Sequence, residues 1–202
     1  MKRVLVLAVV LLSSSCLPKD ARTEARAVPF ADAFARYALG DRYRKTGGSW
    51  RILDGGLHTM GDHNQPLWLE LPLSRNVRVE FTTLSRSPAV DTKIEIFGDG
   101  VRHESGYSVI FAGWKNSITT IARKGEHESA RKELKRGGEM NRKYRWTVQR
   151  TDGRTLELFI DGEKLVEYVD PAPLFGPGND RLAFVSWESE VVYDDLVITP
   201  LP

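Results

Sequence analysis

From Trp50 to its C-terminus this 202-residue chain places apolar residues at every second position in segment after segment, and that period limits it to strands. Val77, Val79 and Phe81 alternate with Arg78, Glu80 and Thr82. Ile94 and Ile96 alternate with Lys93 and Glu95, and Tyr144, Trp146 and Val148 with Arg145, Thr147 and Gln149. Successive strand side chains point to opposite faces, so each segment is expected to bury one face and wet the other. The clearest unit is a meander of residues 144–150, 155–160 and 164–168, separated by Asp152-Gly153 and Asp161-Gly162. Asp-Gly is favoured in two-residue hairpin turns because both central residues of a type I′ turn need positive φ.

Further strands read at residues 67–71, 107–112, 118–123, 182–187 and 191–198, giving about ten to twelve strands and almost no helix. Their spacing argues against βαβ units and for an all-β, two-sheet antiparallel sandwich. In the last strand Val191 and Tyr193 are odd-numbered while Leu196 and Ile198 are even-numbered, so a β-bulge is expected at Asp194-Asp195. Trp50, Trp68 and Trp146 sit in alternating patterns and are expected in the core, with Trp146 opposed by residues 156–160. Phe30, Phe34 and Tyr37 recur at near-helical spacing, which suits a short helix or an irregular segment over residues 31–39 that packs its aromatics on the domain. Residues 124–143 carry seven basic and four acidic side chains. They read as a solvated loop or short surface helix, or alternatively as a flap over one face of the sandwich.

The N-terminus carries an address. Lys2 and Arg3 precede an apolar run at residues 4–12, then Ser13, Ser14 and Ser15 lead to Cys16, the single cysteine. The run is shorter than the ~20 residues of a membrane-spanning helix, and the layout resembles a bacterial lipoprotein signal, with an ordinary secretory signal as the alternative. Lipidation of Cys16 would remove an otherwise oxidisable thiol, and with one cysteine no internal disulfide can brace the fold. The lipobox departs from the usual pattern at Ser13, and Leu17 rather than Asp after the cysteine favours the outer membrane in a Gram-negative cell. The expected division is a signal at residues 1–15, a lipidated N-terminus and polar tether at 16–29, and one domain at 30–202. Losing Lys2 and Arg3 leaves 27 basic residues against 27 acidic ones, and this neutral domain has no basic stripe for nucleic acid.

Three segments carry a family resemblance. Residues 48–57, GSWRILDGGL, look like the opening hairpin of concanavalin A-like jelly rolls. Residues 158–165, LFIDGEKL, are similar to a strand pair near their C-terminus, and residues 192–198, VYDDLVI, to their terminal strand. Within that superfamily the chain is most similar to 3-keto-disaccharide hydrolase-like and laminin-G-like domains. The resemblance implies a curved jelly roll whose concave face and rim loops meet a ligand, usually a glycan. It also implies a candidate structural Ca²⁺ at Asp194 or Asp195, although a bulge alone explains both aspartates. No other cofactor is expected, and no His or Cys cluster has the spacing of a zinc site.

Glycoside hydrolysis generally needs two apposed carboxyl groups. Family 16 glycosidases, which share the jelly roll, take theirs from a Glu-x-Asp-x-x-Glu strand. The nearest segment here offers Glu95 and Asp99, which four residues of strand separate by about 13 Å. That motif is therefore absent, and Asp99 reads as a turn residue. For an enzyme of the keto-disaccharide hydrolase type the candidates are Glu104, Glu126 and His127, with Arg123 nearby, while a surface Glu-His pair in a charged loop is more often simply solvated. Binding candidates are the loop tryptophans Trp114 and Trp187, which can stack on sugar faces, with Asn116, Arg123 and Glu188 as polar partners; packing across the rim of the core is the alternative. The expectation is a lipid-anchored envelope protein that binds glycan without catalysis. A glycoside-active enzyme and a structural lipoprotein with a protein partner are the alternatives.

Overall fold

The computed structural model describes residues 29–128 and 131–202. Cys16, the signal and nearly all of the tether lie outside the described residues. The rest is two antiparallel sheets built from strands numbered in chain order. The first holds β1 (Phe30–Asp32), β3 (Arg51–Leu53), β4 (Gly56–Met60), β6 (Val77–Ser85), β11 (Lys143–Arg150), β12 (Thr155–Ile160), β13 (Glu163–Val169) and β15 (Glu190–Pro200). Its order is β13-β12-β11-β6-β15-β4-β3, with β1 also on β15. The second holds β2 (Tyr43–Lys45), β5 (Leu67–Leu69), β7 (Thr92–Gly98), β8 (Tyr107–Ala112), β9 (Ile118–Arg123), β10 (Arg131–Leu134) and β14 (Arg181–Val185) in the order β10-β9-β8-β7-β14-β5-β2. The architecture is the expected two-sheet antiparallel jelly-roll sandwich.

The alternation explains the core. Val77, Val79 and Phe81 of β6 and Tyr144, Trp146 and Val148 of β11 turn inward to meet Ile94, Ile96, Val109 and Phe111 of the second sheet. Phe81 stacks on Trp146 at 5.0 Å and meets Phe184 edge-on at 6.1 Å, which ties the sheets together. Trp146 is fully buried, pairs with Ile160 across the β11–β12 hairpin, and donates its Nε1–H to Thr83 at 2.9 Å. The expected bulge is present: the β15–β6 ladder slips between Asp194 and Val197, and Asp195 has φ 55°. It divides β15 so that β4 pairs before it and β1 after it.

Asp161 and Gly162 have φ 51° and 84° and join Ile160 directly to Glu163, as a type I′ turn requires. Asp152-Gly153 differs from expectation. Four residues connect β11 to β12, and Asp152 works through its side chain, accepting the amides of Arg154 and Thr155.

Four other expectations are corrected. The segment after β1 takes the irregular form of the two expected and buries Phe34, but Tyr37 does not pack: it is 99% exposed, because the chain turns away after the Asp32 carboxylate captures the Phe34 amide and the Arg36 guanidinium. Residues 131–134 form edge strand β10 on β9, where a loop or helix was expected. Trp68 is buried, but with Ala183 and Val185 on the outer face of the second sheet and not between the sheets. Lys93 and Glu95, expected wet, are buried, because the loops after β7 and β9 fold over that outer face.

Candidate functional site

On central strand β7, with Ile94 and Ile96 committed to the core, Lys93 and Glu95 must face outward. Burying charge is tolerated only with partners. Glu95 Oε1 accepts the amides of Ser105 and Gly106 and the Ser105 hydroxyl, and Oε2 accepts the Glu104 amide, all at 2.8 Å. It thereby pins the β7–β8 loop to the sheet. Lys93 Nζ lies 3.1 Å from Glu126 Oε1 and 2.9 Å from Asn64 Oδ1. His103 sits between the carboxylates, 3.3 Å from Glu95 and 3.5 Å from Glu126. Burial opposes its charge, but the two flanking carboxylates outweigh burial and raise its pKa to about 9. Burial likewise pushes Glu126 up, but His103 and Lys93 prevail and hold it below the ordinary range. Lys93 and His103 thus each lie within ion-pair distance of a carboxylate beneath the loops.

His103, Glu104 and Glu126 could each turn one donor atom to a metal, since these atoms lie within 4.8 Å of one another. The charge of Glu126 is already answered. Lys93 occupies the Glu126 carboxylate and Glu104 accepts the Glu126 amide at 2.7 Å, so a divalent cation would meet an ammonium beside it.

Beside this network opens a cleft of about 390 Å³. Lys93 and Ile110 form its floor, and Asn64, Asp91, Glu126 and His127 reach it from three different connections. Trp114 and Lys115 come from the β8–β9 turn, Trp187 and Glu188 from the β14–β15 turn. Trp187 is 43% exposed and braced edge-on by His63 at 4.9 Å. Trp114 is half-buried, with His127 edge-on at 5.6 Å and the Arg131 guanidinium 5.5 Å from its ring centre.

The turn that carries Trp114 is left-handed: Trp114, Lys115 and Asn116 have φ of 48°, 58° and 63°. Each such non-glycine residue costs on the order of 1–2 kcal/mol, and strain of this kind persists only where the surroundings enforce it. Here Asn116 enforces it, its side chain accepting the Gly138 amide at 2.6 Å and donating to the Gly138 carbonyl at 2.8 Å. The Ser117 amide also closes on the Gly113 carbonyl at 2.9 Å. The indole is held at the rim by a turn that costs energy to keep.

Of the residues singled out from sequence, the cleft brings together Trp114, Trp187, Glu188, Glu126 and His127. Asn116 braces the turn instead of lining the cleft. Arg123 is committed to Asp170 at 2.8 Å and to the Ala172 carbonyl, and Glu104 holds the Glu126 amide. Asp99 caps its turn through the amides of Val101 and Arg102. Asp194 and Asp195 lie on the other sheet, 3.8 and 3.9 Å from the Lys143 ammonium. Sequence reasoning missed Lys93, Asp91, Asn64 and Lys115. The one available signal was the opposite charges of Lys93 and Glu95 on the same face of a strand.

No protein-family model matches the chain, and no curated protein matches it. Solved structures do. A carbohydrate-binding module, CBM66, from Bacillus subtilis superposes with a TM-score of 0.64 at 14% identity, covering 77% of this chain and 93% of that one. Winged bean acidic lectin complexed with methyl-α-D-galactose gives 0.64 at 11% identity, over 85% and 97%. A prokaryotic β-1,3-1,4-glucanase (lichenase) derived from a mouse hindgut metagenome gives 0.60 at 11% identity, over 85% and 99%. At these identities the likeness shows the fold alone, a two-sheet antiparallel jelly roll.

Proposed function

We propose that this protein binds glycan in the cleft between Trp114 and Trp187 without cleaving it, and does so at the cell envelope, tethered through a lipid on Cys16. The observation that carries the binding reading is the convergence of two tryptophans from separate turns on one cleft, one of them on a strained, braced turn. Aromatic faces suit the C–H faces of sugars, and the volume lies within the 300–1,000 Å³ typical of roughly one small-ligand site. Two structural neighbours, a carbohydrate-binding module and a lectin, support the same reading.

The reading without catalysis is supported by how Glu95 and Glu126, the carboxylates of the buried network, are used. Glu95 is saturated by four donors, and Glu126 is neutralised by Lys93 and His103, so neither is free to trade a proton with a glycosidic oxygen. The lipid tether rests on residues 2–16. A glycan array followed by titration of its hits tests the binding reading. Trp114→Ala should weaken binding by about 1–3 kcal/mol, scaled from aromatic stacking on nucleic-acid bases, with little change in melting temperature and no reducing sugar released by either protein. Absence of any glycan hit, or hits that Trp114→Ala binds as well as the parent, would overturn it.

A further inference from the structure

The cleft is not electrically balanced. Lys93 and His103 are answered by Glu126 and Glu95. Outside that set the lining holds Asp91, Glu188 and Lys115, two negative charges against one positive. Glu188 and Lys115 are exposed on the rim, whereas Asp91 is half-buried deeper in the cleft. Its backbone is held in place: Val90 and Asp91 have φ of 57° and 35°, and the Asp91 amide donates to the Ala112 carbonyl at 3.1 Å, at the root of the Trp114 turn.

Its carboxylate, however, takes no hydrogen bond from any described residue. The groups around it are Lys93 on strand β7 that follows it, Glu126 from the β9–β10 loop, Glu188 from the β14–β15 turn, and the Tyr193 hydroxyl of the opposite sheet. Lys93 is committed to Glu126 and Asn64, and the Tyr193 hydroxyl bonds the Lys93 and Val185 carbonyls. Burial, reinforced by the like charges of Glu126 and Glu188, pushes the Asp91 carboxyl above its ordinary range against the pull of Lys93. A carboxylate drawn partly out of water without donors is costly, and a ligand that brings donors relieves that cost.

We infer that Asp91 is the specificity-determining polar group of this cleft: it accepts hydrogen bonds from a sugar's paired hydroxyls or from the ammonium of an amino sugar, and it turns away uronic, sialylated and sulfated glycans. The inference rests on the glycan-binding reading. It adds the sign of the ligand's charge and the residue that reads it. An acidic sugar would set like charge against the half-buried Asp91 and the rim Glu188, with the exposed Lys115 as the one uncommitted cation among the described lining residues.

The test is an array printed with neutral, amine-bearing and acidic glycans, read with the full-length protein and with Asp91→Asn, which keeps the side-chain shape and removes the charge. Hits should fall in the neutral and amine-bearing classes. Asp91→Asn should bind those hits about tenfold more weakly, the loss of roughly one charge-assisted hydrogen bond. Amine-bearing hits losing more than neutral ones would identify the ammonium as the preferred donor, and equal losses would identify the hydroxyls. Binding by the parent should also weaken on acidification, before ordinary carboxylates protonate, and Asp91→Asn should lack that step. Hits confined to acidic glycans, or an Asp91→Asn variant with unchanged affinities, would overturn the inference while leaving the cleft reading intact. No hits in any class would overturn both.

Discussion

Raising the pH should loosen this protein through a single imidazole. His103 lies within 3.5 Å of both Glu95 and Glu126, and its charge lets those two carboxylates share the outer face of the second sheet. Its folded pKa, about 9, lies above the ordinary 6.5. A raised pKa means that the stabilisation is fully present below 6.5 and is lost as pH rises through about 9. At ~1.36 kcal/mol for each pH unit between the two values, the contribution is about 3 kcal/mol. Urea unfolding followed by tryptophan fluorescence at pH 6 and again near pH 10 should show that loss. His103→Gln should be less stable at pH 6 and nearly flat between the two. Hydrogen exchange should place the high-pH loosening in residues 99–106 and 124–128, the loops clamped by Glu95 and Glu126. A parent protein equally stable at both pH values, or a His103→Gln variant that loses as much as the parent, would refute the clamp.

Trp146→Ala should cost about 3–5 kcal/mol in urea unfolding, because the ring is fully buried against Phe81 and leaves a cavity; a cost below about 1 kcal/mol would show that the site refills. Asn116→Ala, which frees Gly138, should lower stability by about 1–2 kcal/mol and weaken glycan binding without removing a lining residue; unchanged binding would show that the turn holds its shape unaided. Cys16→Ser should move the protein from the membrane fraction to the soluble fraction with unchanged circular dichroism; unaltered partitioning would rule out the lipid anchor.

The period of two was enough to read the sandwich, because an inward residue of β6 or β11 leaves no other place for its alternate neighbours than the outer face. It misjudged Lys93 and Glu95 for the same reason. Alternation tells which face a side chain takes, not whether a distant loop covers that face, and the cover here comes from residues 103–106 and 126. Arg150 shows the converse. It falls on the buried phase of β11, where a charge looks excluded, yet its guanidinium lies 3.6 Å from the Phe97 ring centre and donates to the Arg75 and Leu174 carbonyls. Burial lowers its pKa to about 10. The short strands β1, β2 and β10 carry too few residues to show a period, and Asp152 fooled the turn rule by capping through its side chain. In the cleft, Trp114 and Trp187 stood out as aromatics in polar connections. That they meet depends on the order of the second sheet, which local sequence does not encode.

The chain has five tryptophans, two on the cleft and three buried, so their indole N–H resonances report directly on where a ligand sits. Titrating the ¹⁵N-labelled protein with cello-, laminari-, galacto- and chito-oligosaccharides should move the Trp114 and Trp187 signals together for at least one sugar, with Trp50, Trp68 and Trp146 unmoved. All five signals staying fixed across the panel, or a sugar that shifts the buried three and leaves Trp114 and Trp187 in place, would contradict a glycan site in this cleft.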